Sequence, residues 1–260
     1  MLSDQRIQQY LRGAAARGRD VERVGPFLAT FDVRDAMPYV NYAIPDDGAT
    51  PTAADVAALI DAYRQRDRLP RLEYLPVAAP DVEAALVAGG FVTEALLPGM
   101  VCGPSGLIAL PVPDGIAFAA PASDEDWHAM EAAQHVAFGV EPPPATASER
   151  AEAAARARER LAGGGLALLA RDVETGAVVG GGVATGPSDG VTEIAGIGVL
   201  ETHRRRGVAG ALTAALAGAA FAAGVEIAWL TPGDAGAHRV YARAGFADAT
   251  TILHVSLAMP

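Results

Sequence analysis

Apolar positions in the second half of the chain recur with two different periods, and turn residues separate the segments. "GIAFAAP" (115–121) is a short apolar run that reads as a strand. "SDEDWHAMEAAQHVAF" (123–138) opens on a Ser cap with acids in its first turn and continues at helical spacing. "SERAEAAARARERLAGG" (148–164) is rich in helix formers and ends in glycine. "GLALLARDVETGAVVGGGVATG" (165–186) reads as strand, turn at Glu174-Thr175-Gly176, and strand. "VTEIAGIGVL" (191–200) predicts another strand, and a helix is expected from about Arg206 to Gly224. "EIAWLT" (226–231) predicts a buried strand, "DAGAHRVYARAG" (234–245) a helix, and "TTILHVSL" (250–257) a last strand. Strand-rich sequence followed by alternating strands and helices predicts an α/β fold with a mixed sheet.

The first half repeats this pattern more weakly. "GPFLATFDV" (25–33) and "MPYVNYAIP" (37–45) predict strands, and "TAADVAALIDAYRQRD" (52–67) predicts a helix. "RLEYLPV" (71–77) predicts a strand, "PDVEAALVAGGF" (80–91) a helix and "EALLPGMVC" (94–102) a strand. Both halves hold a helix that ends in Gly-Phe and leads into a strand, at Gly90-Phe91 and Gly245-Phe246. The chain reads as two copies of one fold in tandem, 1–104 and 115–260, joined by a Pro- and Gly-rich linker at 105–114.

Composition narrows the function. The net charge is −11, and every one of the 20 basic residues is arginine. An acidic surface disfavours duplex nucleic acid, whose phosphates need a basic face. A cationic or amine partner is compatible with it. The single cysteine, Cys102, rules out an internal disulfide framework, and the five histidines show no metal-ligand spacing with Cys or acids, so no metal is expected. The first residues, "MLSDQRIQQY", are polar and unlike a signal peptide, and no apolar run reaches membrane-spanning length. A cytoplasmic protein with no membrane partner is the expectation, and a homodimer is compatible with it. The Ala-, Gly- and Arg-rich usage suggests a bacterial source with a GC-rich genome.

Against that acidic background, "ETHRRRGVAGAL" (201–212) stands out. A strand ends near Leu200, Arg204, Arg205 and Arg206 fill a turn, and a helix begins at about Gly207. The first N–H groups of a helix lack partners within it and lie at the positive end of its dipole. Small residues at Gly207, Ala209 and Gly210, around Val208, let an anion approach that backbone. The stretch predicts a diphosphate cradle. It is neither a Walker loop nor the G-x-G-x-x-G dinucleotide fingerprint.

The spacing Arg204-x-x-Gly207-x-Ala209 resembles the pyrophosphate signature Gln/Arg-x-x-Gly-x-Gly/Ala of the Gcn5-related N-acetyltransferase superfamily. "DAGAHRVYARAGF" (234–246) resembles a later family segment, N-x-x-A-x-x-L/V-Y-x-x-x-G-F, through Ala237, Val240, Tyr241, Gly245 and Phe246. Asp234 stands where the family usually has Asn. The resemblance covers about 115–260 well and 1–104 in outline. It implies an acyl-CoA N-acyltransferase-like fold and acetyl transfer from acetyl-CoA, as cosubstrate, to a primary amine of a small molecule or peptide. Gly198, Val199 and Leu200 are implied as the strand edge that pairs with the pantetheine arm, with Gly198 suited to a bulge. Tyr241 is implied as proton donor to the leaving thiolate, and Glu193 as general base. Asp234 and Ala237 are implied beside the coenzyme. The N-terminal copy reads "DDGATPT" where the cradle belongs, and Asp46 and Asp47 would repel a pyrophosphate, so that copy is expected to lack a coenzyme site. Two other readings stay open: a non-catalytic acyl-CoA-binding or sensing module, and a tandem acetyltransferase resembling mycothiol synthase. The acceptor is not legible; "FGVEPPPATASER" (138–150) is expected to help select it.

Overall fold

The computed structural model describes residues 2–142 and 145–258. Two compact units emerge, one of Met1–Gly99 with Asp248–Pro260 and the other of Met100–Ala247. The final segment from Asp248 thus joins the first unit, whereas the expected segmentation assigns it to the second.

The first unit contains α1 (Leu2–Ala16), β1 (Asp20–Val24), β2 (Phe27–Phe31), a short 3-10 turn at Pro38–Val40, β3 (Ala43–Pro45), α2 (Ala53–Arg64), β4 (Arg71–Tyr74), α3 (Val82–Ala88) and β5 (Phe91–Cys102), the last up to Gly99. The C-terminal strand, numbered β11 (Ala247–Leu257), inserts between β4 and β5, giving the order β1-β2-β3-β4-β11-β5. β1, β2 and β3 form an antiparallel meander, β3 runs parallel to β4, and β11 is antiparallel to β4.

Sequence reading missed α1 and β1. The α1 stretch is polar overall, yet Ile7, Tyr10, Leu11 and Ala15 sit on one helical face and are buried. β1 is a mostly exposed edge strand whose polar Asp20, Glu22 and Arg23 mask its period. The predicted strand over 37–45 is corrected to a 3-10 turn followed by the three-residue β3. Asn41 imposes the break. Its buried carboxamide accepts from the Asp32 N–H at 2.8 Å and donates to the carbonyls of Asp35 at 2.7 Å and Met37 at 2.8 Å.

One face of this sheet carries a charged cluster. The Arg71 guanidinium, 1% exposed, donates to Glu73, to Glu94 at 2.9 Å and to Nδ1 of His254 at 2.9 Å. Arginine only donates, so Nδ1 accepts and the imidazole is neutral. Burial first, and the Arg71 charge after it, hold the His254 pKa below its ordinary 6.5 against the opposing pull of Glu73 and Glu94. Neutral His254 therefore contributes stability that is complete above pH 6.5 and is lost as pH falls below that value. Thermal melts are expected to show a lower midpoint at acid pH than at neutral pH. His254→Gln, which keeps an acceptor for Arg71, is expected to flatten that difference; an unchanged pH profile in the variant would count against the assignment.

The second unit holds β6 (Ile116–Ala119), α4 (Asp124–Ala137), α5 (Ala147–Arg160), β7 (Leu166–Asp172), β8 (Val178–Ala184), β9 (Val191–Val199), α6 (Val208–Ala222), β10 (Ile227–Leu230) and α7 (Ala235–Arg243). Its strands run in the order β6-β7-β8-β9-β10, followed by the end of β5. β6 to β9 are antiparallel, β9 and β10 are parallel, and β10 is antiparallel to β5. Each unit is thus an antiparallel meander followed by a parallel pair joined through a helix, α2 in one and α6 in the other.

Capping boxes start α4 and α5. Ser123 exchanges hydrogen bonds with Asp126, and Thr146 with Glu149. Helix α6 packs Leu212, Leu216, Ala217 and Ala220 against Met100, Ile194, Ala228 and Leu230. The other face buries Trp127 and Met130 of α4 and Ala154 and Ala157 of α5 over Leu169. Leu216 is fully buried, so Leu216→Ala is expected to cost about 2–5 kcal/mol in denaturant unfolding. The loop expected to shape acceptor choice joins α4 to α5; its Pro143 and Pro144 lie outside the described residues.

Candidate functional site

The parallel pair β9/β10 is registered only as far as Glu193↔Trp229. Beyond that point β9 runs on to Val199 without a β10 partner, because β10 ends at Leu230. A split therefore opens between the two strands, with backbone groups of β9 along its edge. A bulge bends β9 at this place. Gly181 faces Gly198 and Val183 faces Ala195, so two residues of β9 stand against one of β8. The residue that allows it is Gly196, at φ 64°, not Gly198 as expected. Gln134 of α4 fixes the bulge, its Nε2 donating to the Gly196 carbonyl at 2.6 Å. Gly198 lies under α4, where a Cβ would come within 3.1 Å of the Gln134 backbone.

Strand alternation sorts the three predicted edge residues. The Leu200 N–H donates to Val179 O of β8 at 2.9 Å. Successive residues direct their N–H and C=O groups to opposite edges, so Val199 points toward the split, and Gly198 and Leu200 point toward β8. The Val199 carbonyl accepts from Arg204 Nε at 3.0 Å.

A single 3-10 turn, Glu201–His203, links β9 to α6. His203 Nε2 lies 3.1 Å from Asp172 Oδ2, which ties the turn to the β7–β8 hairpin. Asp172 is held down to a pKa of about 2 by the Thr175 N–H first, with His203 next, so it stays ionised. The chain then bends sharply. Arg205 adopts φ 60° and Gly207 φ 90°, both left-handed. Gly207 is the N-cap of α6, and no side chain caps this helix start. α2, α4, α5 and α7, by contrast, are capped by Thr52, Ser123, Thr146 and Asp234. The Ala211 N–H is the first to bond within α6, to Gly207 O. The N–H groups of Val208, Ala209 and Gly210 precede it at the positive helix end.

The predicted arginines divide in role. Arg204 spends its guanidinium on two backbone carbonyls, Val199 O and, at 2.6 Å, Ala137 O at the end of α4. Arg206 donates to Asp114 O at 3.1 Å. All three arginines are exposed, and of the three only Arg204 and Arg206 are anchored to the backbone carbonyls just named. Gly210 is also buried against Val240 of α7 and Leu110, so its missing Cβ serves helix packing as well. Because Arg204 closes the carbonyl end of α4 against the end of β9, Arg204→Ala is expected to loosen the α4–α5 connection. A lower melting midpoint in thermal unfolding checks this.

On the far side of the split, Asp234 caps α7 by accepting from the Ala237 N–H at 2.7 Å. That bond commits the Ala237 amide to the helix start. The Ala237 and Gly236 N–H groups lower the Asp234 pKa, and Arg239 and Arg204 add to the effect. Tyr241 is half-buried against the α6 core. Burial, and secondarily the Asp234 charge, push its pKa up to about 12. Glu193 is half-buried at the vertex of the split, its backbone held by Thr185.

The missed contributors are Gln134, Asp172 and Ala137. Gln134 is visible in sequence only as a polar residue within an amphipathic helix, and no local signal marks its partner 62 positions away.

Comparisons with known proteins point to one family. The family model described as acetyltransferase (GNAT) family matches residues 127–246. A GCN5-related N-acetyltransferase from Kribbella flavida is 27% identical, with a TM-score of 0.81 over 99% of this chain and 96% of that one. A GCN5-related N-acetyltransferase from Sphaerobacter thermophilus shares the fold at 20% identity and TM-score 0.65, covering 90% of this chain and 78% of that chain. So does a tandem GNAT protein from the clavulanic acid biosynthesis pathway, at 15% identity and TM-score 0.61, covering 94% of this chain and 85% of that one. No curated protein matches the chain.

Proposed function

We propose that this chain, with a GNAT-family acetyltransferase domain at residues 127–246, transfers an acetyl group from acetyl-CoA to a primary amine of a small molecule or peptide. One observation carries the reading: the split between β9 and β10 leads directly into the uncapped start of α6. An extended amide-bearing arm fits along the Val199 edge, and a diphosphate fits the Val208, Ala209 and Gly210 N–H groups beside Arg205. The site lies within the second unit. The first unit acts as a lobe without a coenzyme site.

Roles follow from position. The Val199 N–H, at the split edge, polarises the acyl carbonyl. Glu193, at the vertex, takes the proton that the attacking ammonium must lose to become nucleophilic. Tyr241 gives a proton to the departing sulfur. Asp234 positions α7, and hence Tyr241, through its cap.

The test is coenzyme thiol release from acetyl-CoA over a panel of primary amines, with calorimetry of acetyl-CoA binding alongside. Acetyl-CoA-dependent release with one or more amines supports the reading. Tight binding without release from any amine would favour a sensing module instead. Glu193→Gln, nearly isosteric, is expected to lower kcat/KM about 100-fold, as the removal of a general base does. It should leave acetyl-CoA affinity near wild type.

A further inference from the structure

The first unit has its own parallel pair, and it is filled from within. β3 and β4 share a single registered pair, Ala43↔Leu72, and then part toward Pro45 and Leu75. This is the topological counterpart of the β9/β10 split. Gln8 of α1 sits in the opening, fully buried. Its Oε1 accepts from the Leu75 N–H at 3.0 Å, and its Nε2 donates to the Pro45 carbonyl at 3.3 Å. The carboxamide thus bridges the two parted strands, taking one donor from one side and one acceptor from the other. Arg12, a turn further along α1, donates to the same Pro45 carbonyl at 3.2 Å and pairs with Asp47 at 2.7 Å. Arg23 pairs with Asp46. The helix that follows, α2, has no open start, since Thr52 and Asp55 cap it reciprocally.

We infer that α1 is a built-in ligand of the first unit: the Gln8 carboxamide occupies the strand split as an amide-bearing ligand would, and the unit is closed to one. The equivalence with a ligand split rests on the reading of β9/β10 given above; the occupation by Gln8 does not. Three features close the slot together. The amide positions are taken by Gln8, the anion position is lined by Asp46 and Asp47 with their own arginines, and the helix start is self-capped. A buried amide left without partners is costly, so the Leu75 N–H and the Pro45 carbonyl depend on α1. α1 is accordingly part of the unit rather than an appendage to it.

Hydrogen exchange on the intact chain without coenzyme tests this. Gln8→Met keeps the side-chain length but offers neither hydrogen bond. It is expected to speed exchange at Leu75 about tenfold or more relative to β2 amides of the same unit. Gln8→Asn keeps the chemistry but not the reach, and serves if the Met variant does not fold; the same acceleration is expected. Exchange at Leu75 unchanged in a folded variant would overturn the inference. Native mass spectrometry with acetyl-CoA supplies the separate arm. One coenzyme per chain in both wild type and variant supports closure by all three features, and a second coenzyme bound only by the variant would show that Gln8 alone had excluded it, contradicting the three-part closure. Failure of the wild type to bind any coenzyme would sink the proposed function and leave the exchange result standing.

Discussion

Tyr241→Phe is expected to lower kcat about 100- to 10,000-fold, the range for loss of a positioned proton donor, while the Kd for acetyl-CoA changes little. Two features of the side chain separate its roles. The ring packs against the α6 core, and phenylalanine preserves that packing. The hydroxyl belongs to a phenol whose pKa is pushed up to about 12, by burial first and by the Asp234 charge second. A raised pKa keeps the neutral, donating form through the physiological range and well into alkali. The wild-type rate should therefore show no fall from Tyr241 ionisation until pH approaches that value. Single-turnover thiol release and calorimetry on the same variant separate the two effects. Full turnover in Tyr241→Phe would remove Tyr241 from the chemistry, and equal loss of rate and affinity would make it a packing residue.

The second large effect is expected at Gly207. Its φ of 90° lies where L side chains are rarely found, and it is the residue that turns the chain into α6. Gly207→Val imposes about 1–3 kcal/mol of backbone strain. The chain relieves it by moving the helix start, which displaces the Val208, Ala209 and Gly210 amides together. Acetyl-CoA affinity is expected to fall about 10- to 100-fold, in line with tenfold per 1.4 kcal/mol. Gly224 provides the control. It lies just past the other end of α6 at φ 97°, with nothing near its missing Cβ. Gly224→Val carries a similar conformational penalty far from the cradle, so it should lower the melting temperature comparably without weakening acetyl-CoA binding. Equal affinity losses in both variants would mean that global stability, and not cradle geometry, sets the binding.

Local rules made much of this legible in the sequence. Ser123 and its acids, the Glu174-Thr175-Gly176 turn, and the strand–arginine–glycine–helix order each act over a few residues, and each element formed where those signals stand. The features that escaped depend on distant partners. Gly196 and Gly198 are equally good bulge candidates by sequence; Gln134, reaching in from α4, selects Gly196. The anchoring of Arg204 escaped because charge is visible in sequence and unsatisfied carbonyls are not. The ends of β9 and α4 present two such carbonyls, and the guanidinium turns to them. α1 escaped because its buried apolar residues Ile7, Tyr10, Leu11 and Ala15 are diluted among polar ones, and Gln8 looks like any surface glutamine until Pro45 and Leu75 converge on it. The last strand's membership of the first unit follows from its pairing with β4, which no local pattern encodes.

The central claim is that the β9/β10 split and the open start of α6 together hold the coenzyme. Titrating the isotopically labelled chain with acetyl-CoA and following backbone amide shifts addresses those groups individually. The account predicts the largest changes at Val199, Val208, Ala209 and Gly210, with the Leu75 amide of the first unit unmoved. Saturable binding that shifts Leu75 and its neighbours but leaves the α6 amides in place would contradict it.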